Sequence, residues 1–518
     1  MALQTLYNLY KKRFGANMHE TDLKAFEKLI KSVLLEKISC AKKEEKIVIF
    51  LTPWVNTSVP YFSFLLAYIY RFQGYNVRII WDDLLSYNEG RTDREQKVIE
   101  KFLFSFEENV IPIKRLSMFD AKENNDKINY YEVERLAKLK TIHQVKSATL
   151  LHDSTDIVEK YKKSLMQVLP FVTGVFSECT NEVFIIPGGI CANTGLFYLL
   201  GKKYPKVRIA SYDSGERTLL LGKDNVATHL RDIETIILNL NNITDKGKER
   251  YCKSAKIELS LRMSGNDKDR TQKINSENDK KEYNYDIFIP LNIEWDSAAL
   301  GMEMIFEDSF QWLKETIEFT MKNTEYTIII RQHPHERRFN SSVFLKQWFK
   351  KALYDEKRIR FVSCDENINS YSILKNVKVV LPWSSTIGIE AAMLGKNVVV
   401  HNNCYYSKLP FVISCDSKKK YFEMIVKCIE ENMPNQHVNE AEICYYFSQC
   451  CNWTRNTNFT PIPADFNRLI ARPFEEIVQD ETIQDILKCL CENIPMALLN
   501  HYRNEKIFYD ENDNDKII

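Results

Sequence analysis

Two strand-to-helix junctions between Tyr326 and Val400 carry the residues best suited to chemistry. The first, YTIIIRQHPHERR, is an apolar run of strand length that ends in His333-Pro334. The second, VKVVLPWSSTIGIEAAMLGKNVVVH, reads as strand, hydroxyl cluster Ser384-Ser385-Thr386, helix, strand. Hydroxyls at a helix start can cap its free amides, and the same terminus attracts anions. Parallel βα units place their loops on one edge of the sheet, so the histidine and the hydroxyls point to a phosphate held there. That is the chemistry of an enzyme acting on a nucleotide-linked substrate. An imidazolium at His333 would stabilise or protonate a departing phosphate. Gly388 would let a ligand approach the backbone closely. Glu390, on the same helix, is placed either for ribose hydroxyls or for a helix-surface salt bridge. Arg331, with Arg337 and Arg338, can neutralise phosphate, although a run such as HERR also suits a solvated face.

Further candidates lie elsewhere. Asp213, in SYDSGER, ends a strand and is placed to act as a general base, though Asp-Ser-Gly is also an ordinary turn composition. Gly188 and Gly189 open PGGICANTG, a strand-to-helix turn without the lysine of a Walker loop or the GxGxxG order. Glu294 and Asp296 flank Trp295 at the end of another strand and are possible cleft residues. The D-x-D pairs, Asp267 with Asp269 and Asp513 with Asp515, sit in polar stretches away from any strand end, so no metal site and no cofactor is expected.

The elements that must position these residues alternate strand with helix, the pattern of βαβ units and parallel sheets. KIVIFLTPW (46–54), NVRIIWDD, EVFIIPGG (182–189) and KVRIASYDSG (206–215) are strands of a first α/β domain, with a short strand expected within 109–113. VPYFSFLLAYIYRFQGY reads as a buried helix, and 129–175 as mostly helical. The segment 262–284 is almost wholly polar and reads as a linker or mobile loop. YDIFIPLNIEWDS (285–297), TIIIRQHP, IRFVSC, VKVVLPW and NVVVH supply the strands of a second unit. The expected organisation is therefore an N-terminal Rossmann-like domain (1–261), the linker (262–284), a second Rossmann-like domain (285–463) and C-terminal helices with a disordered tail (464–518).

A chain of 518 residues is too long for one core, which agrees with two domains. Lys plus Arg total 71 against 70 for Asp plus Glu, and this balance argues against nucleic acid as a partner. Thirteen cysteines without a CxxC fit reduced thiols in a cytosolic protein. No apolar run approaches the roughly 20 residues needed to cross a bilayer. The expected location is cytoplasmic, and resting on the inner membrane face or in an assembly complex is compatible with it.

The SSTIGIEAAMLGKNVVV segment, the strand ending in His-Pro and the PLNIEWDS strand resemble bacterial capsule polysaccharide biosynthesis glycosyltransferases, relatives of the capsule β-Kdo transferases. The His-Pro motif paired with a Ser/Thr cluster also resembles bacterial sialyltransferases, which use CMP-linked donors. The resemblance covers roughly 182–230 and 285–410. It implies the GT-B fold, two Rossmann-like domains facing across a cleft, with last helices that cross back to the first domain and no metal requirement. By the same resemblance His333 would contact the donor phosphate, Ser384, Ser385 and Thr386 would hold it, and Asp213 would be the base. In those sialyltransferases an acidic-acidic-Gly motif supplies the base, and the nearest match here is Asp213-Ser214-Gly215, which lacks the second carboxylate. The implied partners are a nucleotide-sugar donor, CMP-linked favoured, and a polysaccharide or glycolipid acceptor. A polyol-phosphate transferase of the teichoic-acid type, a nucleotide-sugar epimerase and a non-catalytic assembly subunit are the alternatives.

Overall fold

The computed structural model describes residues 20–508 apart from 37–42, 55–56, 86–92, 107–110, 125–126, 215–218, 241–244, 267–281, 340–341, 353–356 and 455–458. The chain divides into two compact units. The first comprises residues up to 140, 156–228 and 453–499; the second comprises 141–155, 229–452 and 500 onward.

The first unit is built on a six-stranded sheet ordered β3-β2-β1-β4-β5-β6. Its strands are β1 (Lys46–Leu51), β2 (Asn76–Trp81), β3 (Ile113–Arg115), β4 (Glu182–Pro187), β5 (Val207–Ser214) and β6 (Leu219–Gly222). All neighbours pair in parallel except β5 with β6. The helices α1 (Glu20–Glu36), α2 (Val59–Phe72), α3 (Asp93–Phe104), α4 (Tyr130–Val145), α5 (Thr155–Ser177) and α6 (Ala192–Gly201) accompany it. Twelve of the fourteen residues of α2 are buried, as expected for a helix apolar on every side. Three helices from much later in the chain, α15 (Pro463–Ile470), α16 (Phe474–Gln479) and α17 (Glu481–Cys491), complete the same core. Phe466 meets Phe26 edge-on at 5.4 Å, and Arg208 on β5 donates to the Leu490 and Cys491 carbonyls at 2.5 and 2.6 Å. The two Arg208 bonds satisfy the last two carbonyls of α17, which its own helix leaves open.

The second unit has the sheet order β12-β11-β10-β7-β8-β9, all parallel. Its strands are β7 (Ile287–Pro290), β8 (Ile328–Arg331), β9 (Ile359–Val362), β10 (Val379–Val380), β11 (Asn397–Val400) and β12 (Ile413–Ser414). The helices are α7 (Arg231–Leu238), α8 (Asp245–Met263), α9 (Ser309–Asn323), α10 (Ser342–Ala352), α11 (Ser370–Leu374), α12 (Ile387–Met393), α13 (Lys418–Glu431) and α14 (Val438–Tyr445), with α18 (Met496–Phe508) beginning in the first unit. Helix α9 starts where the Asp308 carboxylate accepts from the Phe310 and Gln311 amides, both at 2.8 Å. β7, β8 and β10 are buried along their length, as strands covered on both faces must be.

Both sheets follow the doubly wound order, in which strand succession reverses once. The reversal falls between β1 and β4 in the first unit and between β7 and β10 in the second. The α/β class with two Rossmann-like sheets agrees with the sequence. Its boundaries differ: the units divide after 228 and 452, where the sequence placed breaks at 261 and 463. The reason is that α8 packs on α14 of the second unit, and 453–463 leads into helices of the first. The linker begins later than expected, since Arg262 and Met263 are helical; its middle and the C-terminal tail, with both D-x-D pairs, lie outside the described residues.

Candidate functional site

In the second unit the loops after β7 and β10 meet at the reversal point, the place where open α/β sheets take ligands. The turn after β10 is fixed from both sides. Ser384 donates its amide to Asn292 Oδ1 at 3.2 Å and its hydroxyl to the Ala298 carbonyl at 2.8 Å. Trp383 Nε1 donates to the Ala299 carbonyl at 2.8 Å, and Asn402 Nδ2 to the Trp383 carbonyl at 2.7 Å. Tyr406 closes the other side, donating its hydroxyl to the Ser385 carbonyl at 2.8 Å. Ser384 is thus a buried staple between loops, whereas Ser385 and Thr386 stay half-exposed.

The hydroxyls cap α12 less than the sequence predicts. Thr386 occupies the cap position with right-handed helical backbone, φ −54 and ψ −25, and makes no side-chain cap bond. A capping side chain needs extended backbone there. Only Ser385 Oγ accepts a helix amide, from Ile387 at a long 3.4 Å.

Gly388 and Glu390 also serve ends other than those expected. A Cβ at Gly388 would lie 2.7 Å from the Tyr406 hydroxyl oxygen and 2.9 Å from Pro382 Cγ. The missing side chain therefore makes room for Tyr406, not for a ligand. Gly388→Ala is expected to cost about 1–3 kcal/mol of stability by forcing Tyr406 off Ser385, read from urea unfolding. Glu390 is 2 % exposed, neither on the helix surface nor open to a ribose. Tyr371 donates its hydroxyl to Glu390 Oε2 at 3.0 Å, and Arg262 Nε lies 3.3 Å from Oε1.

On the other side of β7, Arg331 ends β8 with its guanidinium buried. It donates to the carbonyls of Ser363 (2.6 Å), Ile368 (3.1 Å) and Glu366 (3.3 Å), and burial lowers its pKa to about 10. Arg331 thus clamps the loop after β9. Arg337 and Arg338 are exposed in the 3-10 turn Pro334–Arg338.

His333 caps that turn: its Nδ1 accepts from the His335 amide at 3.3 Å. Burial, followed by the positive charges of His335, Arg262 and Arg331, lowers its pKa to about 3. The ring is therefore neutral at physiological pH, not the imidazolium expected. With Nδ1 accepting, the proton resides on Nε2, which makes His333 a fixed hydrogen-bond donor.

The carboxylates of PLNIEWDS lie in the loop beyond β7, since the strand stops at Pro290. Glu294 Oε2 accepts from Ser147 Oγ (2.8 Å) and the Ala148 amide (3.0 Å), anchoring 141–155 to this unit. Burial raises its pKa against those bonds. Burial also raises Asp296, whose Oδ1 accepts from the Ala298 amide at 3.2 Å. Trp295 packs between them, with Lys146 Nζ 3.7 Å above its ring and Phe339 edge-on at 4.8 Å. Lys146 holds a positive φ of 63 to reach that position.

The remaining candidates belong to the first unit. Gly188 and Gly189 follow β4 at its reversal point, with φ of +67 and +104 that favour glycine. A Cβ on Gly188 would strike Trp54 at 2.9 Å. Asp213 lies at the end of β5, as the sequence suggested, opposite Leu220 of β6, and its Oδ1 accepts from the Ser214 amide at 2.7 Å. Sequence reasoning missed Asp82, which follows β2 and is fully buried; Asn193 Nδ2 donates to both its oxygens, at 2.9 and 3.2 Å. Burial raises its pKa to about 7. The Trp-Asp-Asp end of β2 was the available signal. Among the described residues no cluster of His, Cys, Asp and Glu is arranged to hold a metal ion, and no helix is long and apolar enough to cross a membrane.

Comparison with known proteins places the hydroxyl turn, His333 and α8 in one family segment, described as capsule polysaccharide biosynthesis protein. That match spans residues 245–447 and leaves the first unit outside it. No curated protein matches the chain. Among solved structures, KpsC β-Kdo 2,7 transferase of Thermosulfurimonas dismutans is 13% identical over 57% of this chain and 88% of its own, with a TM-score of 0.31. MurG of Acinetobacter baumannii is 10% identical over 82% of this chain and 99% of its own, TM-score 0.26. The UDP-GlcNAc 2-epimerase of Neisseria meningitidis is 13% identical over 83% and 100%, TM-score 0.23.

Proposed function

We propose that the chain is a glycosyltransferase of surface polysaccharide assembly, moving a sugar from a nucleotide-activated donor to a polysaccharide or glycolipid acceptor. The observation that carries this reading is the hydroxyl turn at the reversal point of the sheet, within the segment that matches the capsule polysaccharide biosynthesis model, with His333 one strand away as a neutral donor. Ser385 and Thr386 would bind the donor phosphate, and Ser384 would hold their turn in place. His333 Nε2–H would donate to the phosphate oxygen that gains charge as the sugar leaves, an electrostatic rather than a proton-transfer role. One hydroxyl turn and one imidazole donor suit a single phosphate, which favours a CMP-linked sugar. Asp213 is the proposed base for the acceptor hydroxyl. A cytoplasmic location, at the membrane face or within an assembly complex, follows from such substrates.

Thermal unfolding with CMP, CDP, UMP, UDP, GDP and ADP tests the donor class. A ligand at a hundred times its Kd adds about 2.7 kcal/mol to native stability. CMP is expected to stabilise the protein selectively, and Ser385→Ala to abolish most of that response without unfolding the chain. Unimpaired sugar transfer by a His333→Ala, Ser385→Ala double variant would overturn the assignment. Nucleotide binding with no transfer or hydrolysis would favour a non-catalytic assembly subunit, a reading that the missing second carboxylate beside Asp213 keeps in play. Product mass separates sugar transfer from polyol-phosphate transfer.

A further inference from the structure

Arg262 ends α8, a helix that the sheet does not require, yet three contacts bring it to the ligand edge of the second unit. Asn369 Nδ2 donates to the Met263 carbonyl at 3.0 Å, tying the helix end to the start of α11. The preceding residue, Ile368, gives its carbonyl to Arg331 at 3.1 Å, so this anchor reaches the strand that carries His333. On the opposite side Arg262 Nε lies 3.3 Å from Glu390 Oε1, on the helix that follows the hydroxyl turn. Arg262 therefore bridges the β8 and β10 sides of the reversal point.

The pairing is asymmetric. Glu390 is 2 % exposed and the Arg262 side chain 23 %, so the carboxylate is sealed while the arginine is partly open to solvent. Tyr371, buried beside them, donates to the other Glu390 oxygen at 3.0 Å. Gln449 Oε1 accepts from Arg262 NH1 at 3.3 Å, and the Tyr445 hydroxyl adjoins the same group. A guanidinium is a rigid planar fork, and Glu390, Gln449 and Tyr445 together set its orientation. Its charge is already felt at His333, where it opposes protonation.

We propose that Arg262, oriented by Glu390 and Gln449, is the cation that meets the donor phosphate beside His333 and the Ser385–Thr386 turn. This rests on the nucleotide-sugar reading and adds to it the phosphate counter-charge that Arg331, spent on the β9 loop, does not supply. Glu390 and Tyr371 are positioning residues: they act through Arg262 and do not touch the donor. A neutral His333 donates to an anion whose charge Arg262 has partly balanced.

The test is calorimetric titration of the full chain with CMP, cytidine and inorganic phosphate, for wild type and the variants Arg262→Gln, Arg262→Lys, Glu390→Gln and Tyr371→Phe. Circular dichroism melting confirms that each variant is folded. Arg262→Gln is expected to weaken CMP and phosphate by about tenfold or more while cytidine binding stays within about twofold. Arg262→Lys should fall between, because it keeps the charge and loses the fork. Glu390→Gln should weaken CMP less than Arg262→Gln does. Equal losses for CMP and cytidine would make Arg262 merely structural and overturn the proposal, as would unchanged CMP affinity. Should another nucleotide bind in place of CMP, that nucleotide and its nucleoside give the same comparison. If wild type binds phosphate but no nucleotide, the nucleotide-sugar reading falls, and the loss of phosphate binding in Arg262→Gln alone decides the inference. If wild type binds neither, both fall.

Discussion

Replacing His333 with alanine is expected to lower turnover by about a hundred- to ten-thousand-fold, the range associated with losing a positioned donor or proton-transfer group. Stability should drop by no more than about 1 kcal/mol, because the ring supplies one long cap bond to the His335 amide. The protonation state makes the prediction sharper. With a pKa of about 3, His333 holds no added proton between pH 6 and 8, and its Nε2–H is present throughout that window. The kcat/KM profile, which reports groups of the free enzyme, should therefore show no limb near pH 6.5 that disappears in His333→Ala. A glutamine at 333 keeps a side-chain N–H and should recover part of the lost rate. A rate that falls as pH rises through 6.5 in wild type, and not in the alanine variant, would restore the imidazolium acid.

The second large effect concerns His401, which follows β11 and is fully buried. Phe306, Trp312, Trp383 and Tyr421 surround it with ring centroids 5.0–5.2 Å away, and among the described residues neither ring nitrogen has a hydrogen-bond partner. Burial lowers its pKa from the ordinary 6.5 to about 3. The unfolded chain then binds a proton that the folded chain refuses. Its contribution to stability is whole above pH 6.5 and drains away as pH falls toward 3, by about 1.4 kcal/mol per pH unit. His333 acts in the same direction, while Asp82, raised to about 7, acts oppositely between pH 4 and 7. The clean measurement is consequently a difference: His401→Leu minus wild type, by urea unfolding at pH 7 and pH 5. The leucine variant should gain about 2 kcal/mol on wild type across that interval. A difference that does not change with pH would mean that the imidazole is already charged or partnered.

Much of the fold could be read from the sequence because buried parallel strands leave short apolar runs. KIVIFL, EVFIIP and IIIR appear in place as β1, β4 and β8. Runs that extend past their strand misled: PLNIEWDS is loop beyond Pro290, and VKVVLPW contributes only Val379 and Val380 as strand. The short strand expected within 109–113 starts only at Ile113, and β6 and β12 carried too little pattern to register. The residues singled out by composition lie in the loops after β7, β8 and β10, but tertiary partners change how individual side chains read. Ser384, Arg331 and Glu390 looked like ligands for a phosphate or a ribose; each is instead held by a partner far along the chain. Arg262 and Glu390 are a clear instance, since no local spacing links the end of α8 to a helix beyond β10. Tertiary contact decides which polar groups remain for a substrate, and a linear motif does not record it.

The chain leaves the first unit at 141–155, leaves it again at 229, and returns at 453 to supply α15, α16 and α17. Phe466, Phe474 and Ile477 belong to the same core as Phe26 and Ile47, so that core is unfinished until residues 466–477 have been synthesised. During translation the apolar faces of α1, α2 and α3 must wait, exposed, while the second unit is being made, a dependence on distant segments that slows folding and invites association. A gene fragment ending near 452 should therefore yield insoluble material even though it encodes every strand of both sheets. Co-expression of 453–508 as a separate piece is the rescue that the architecture allows.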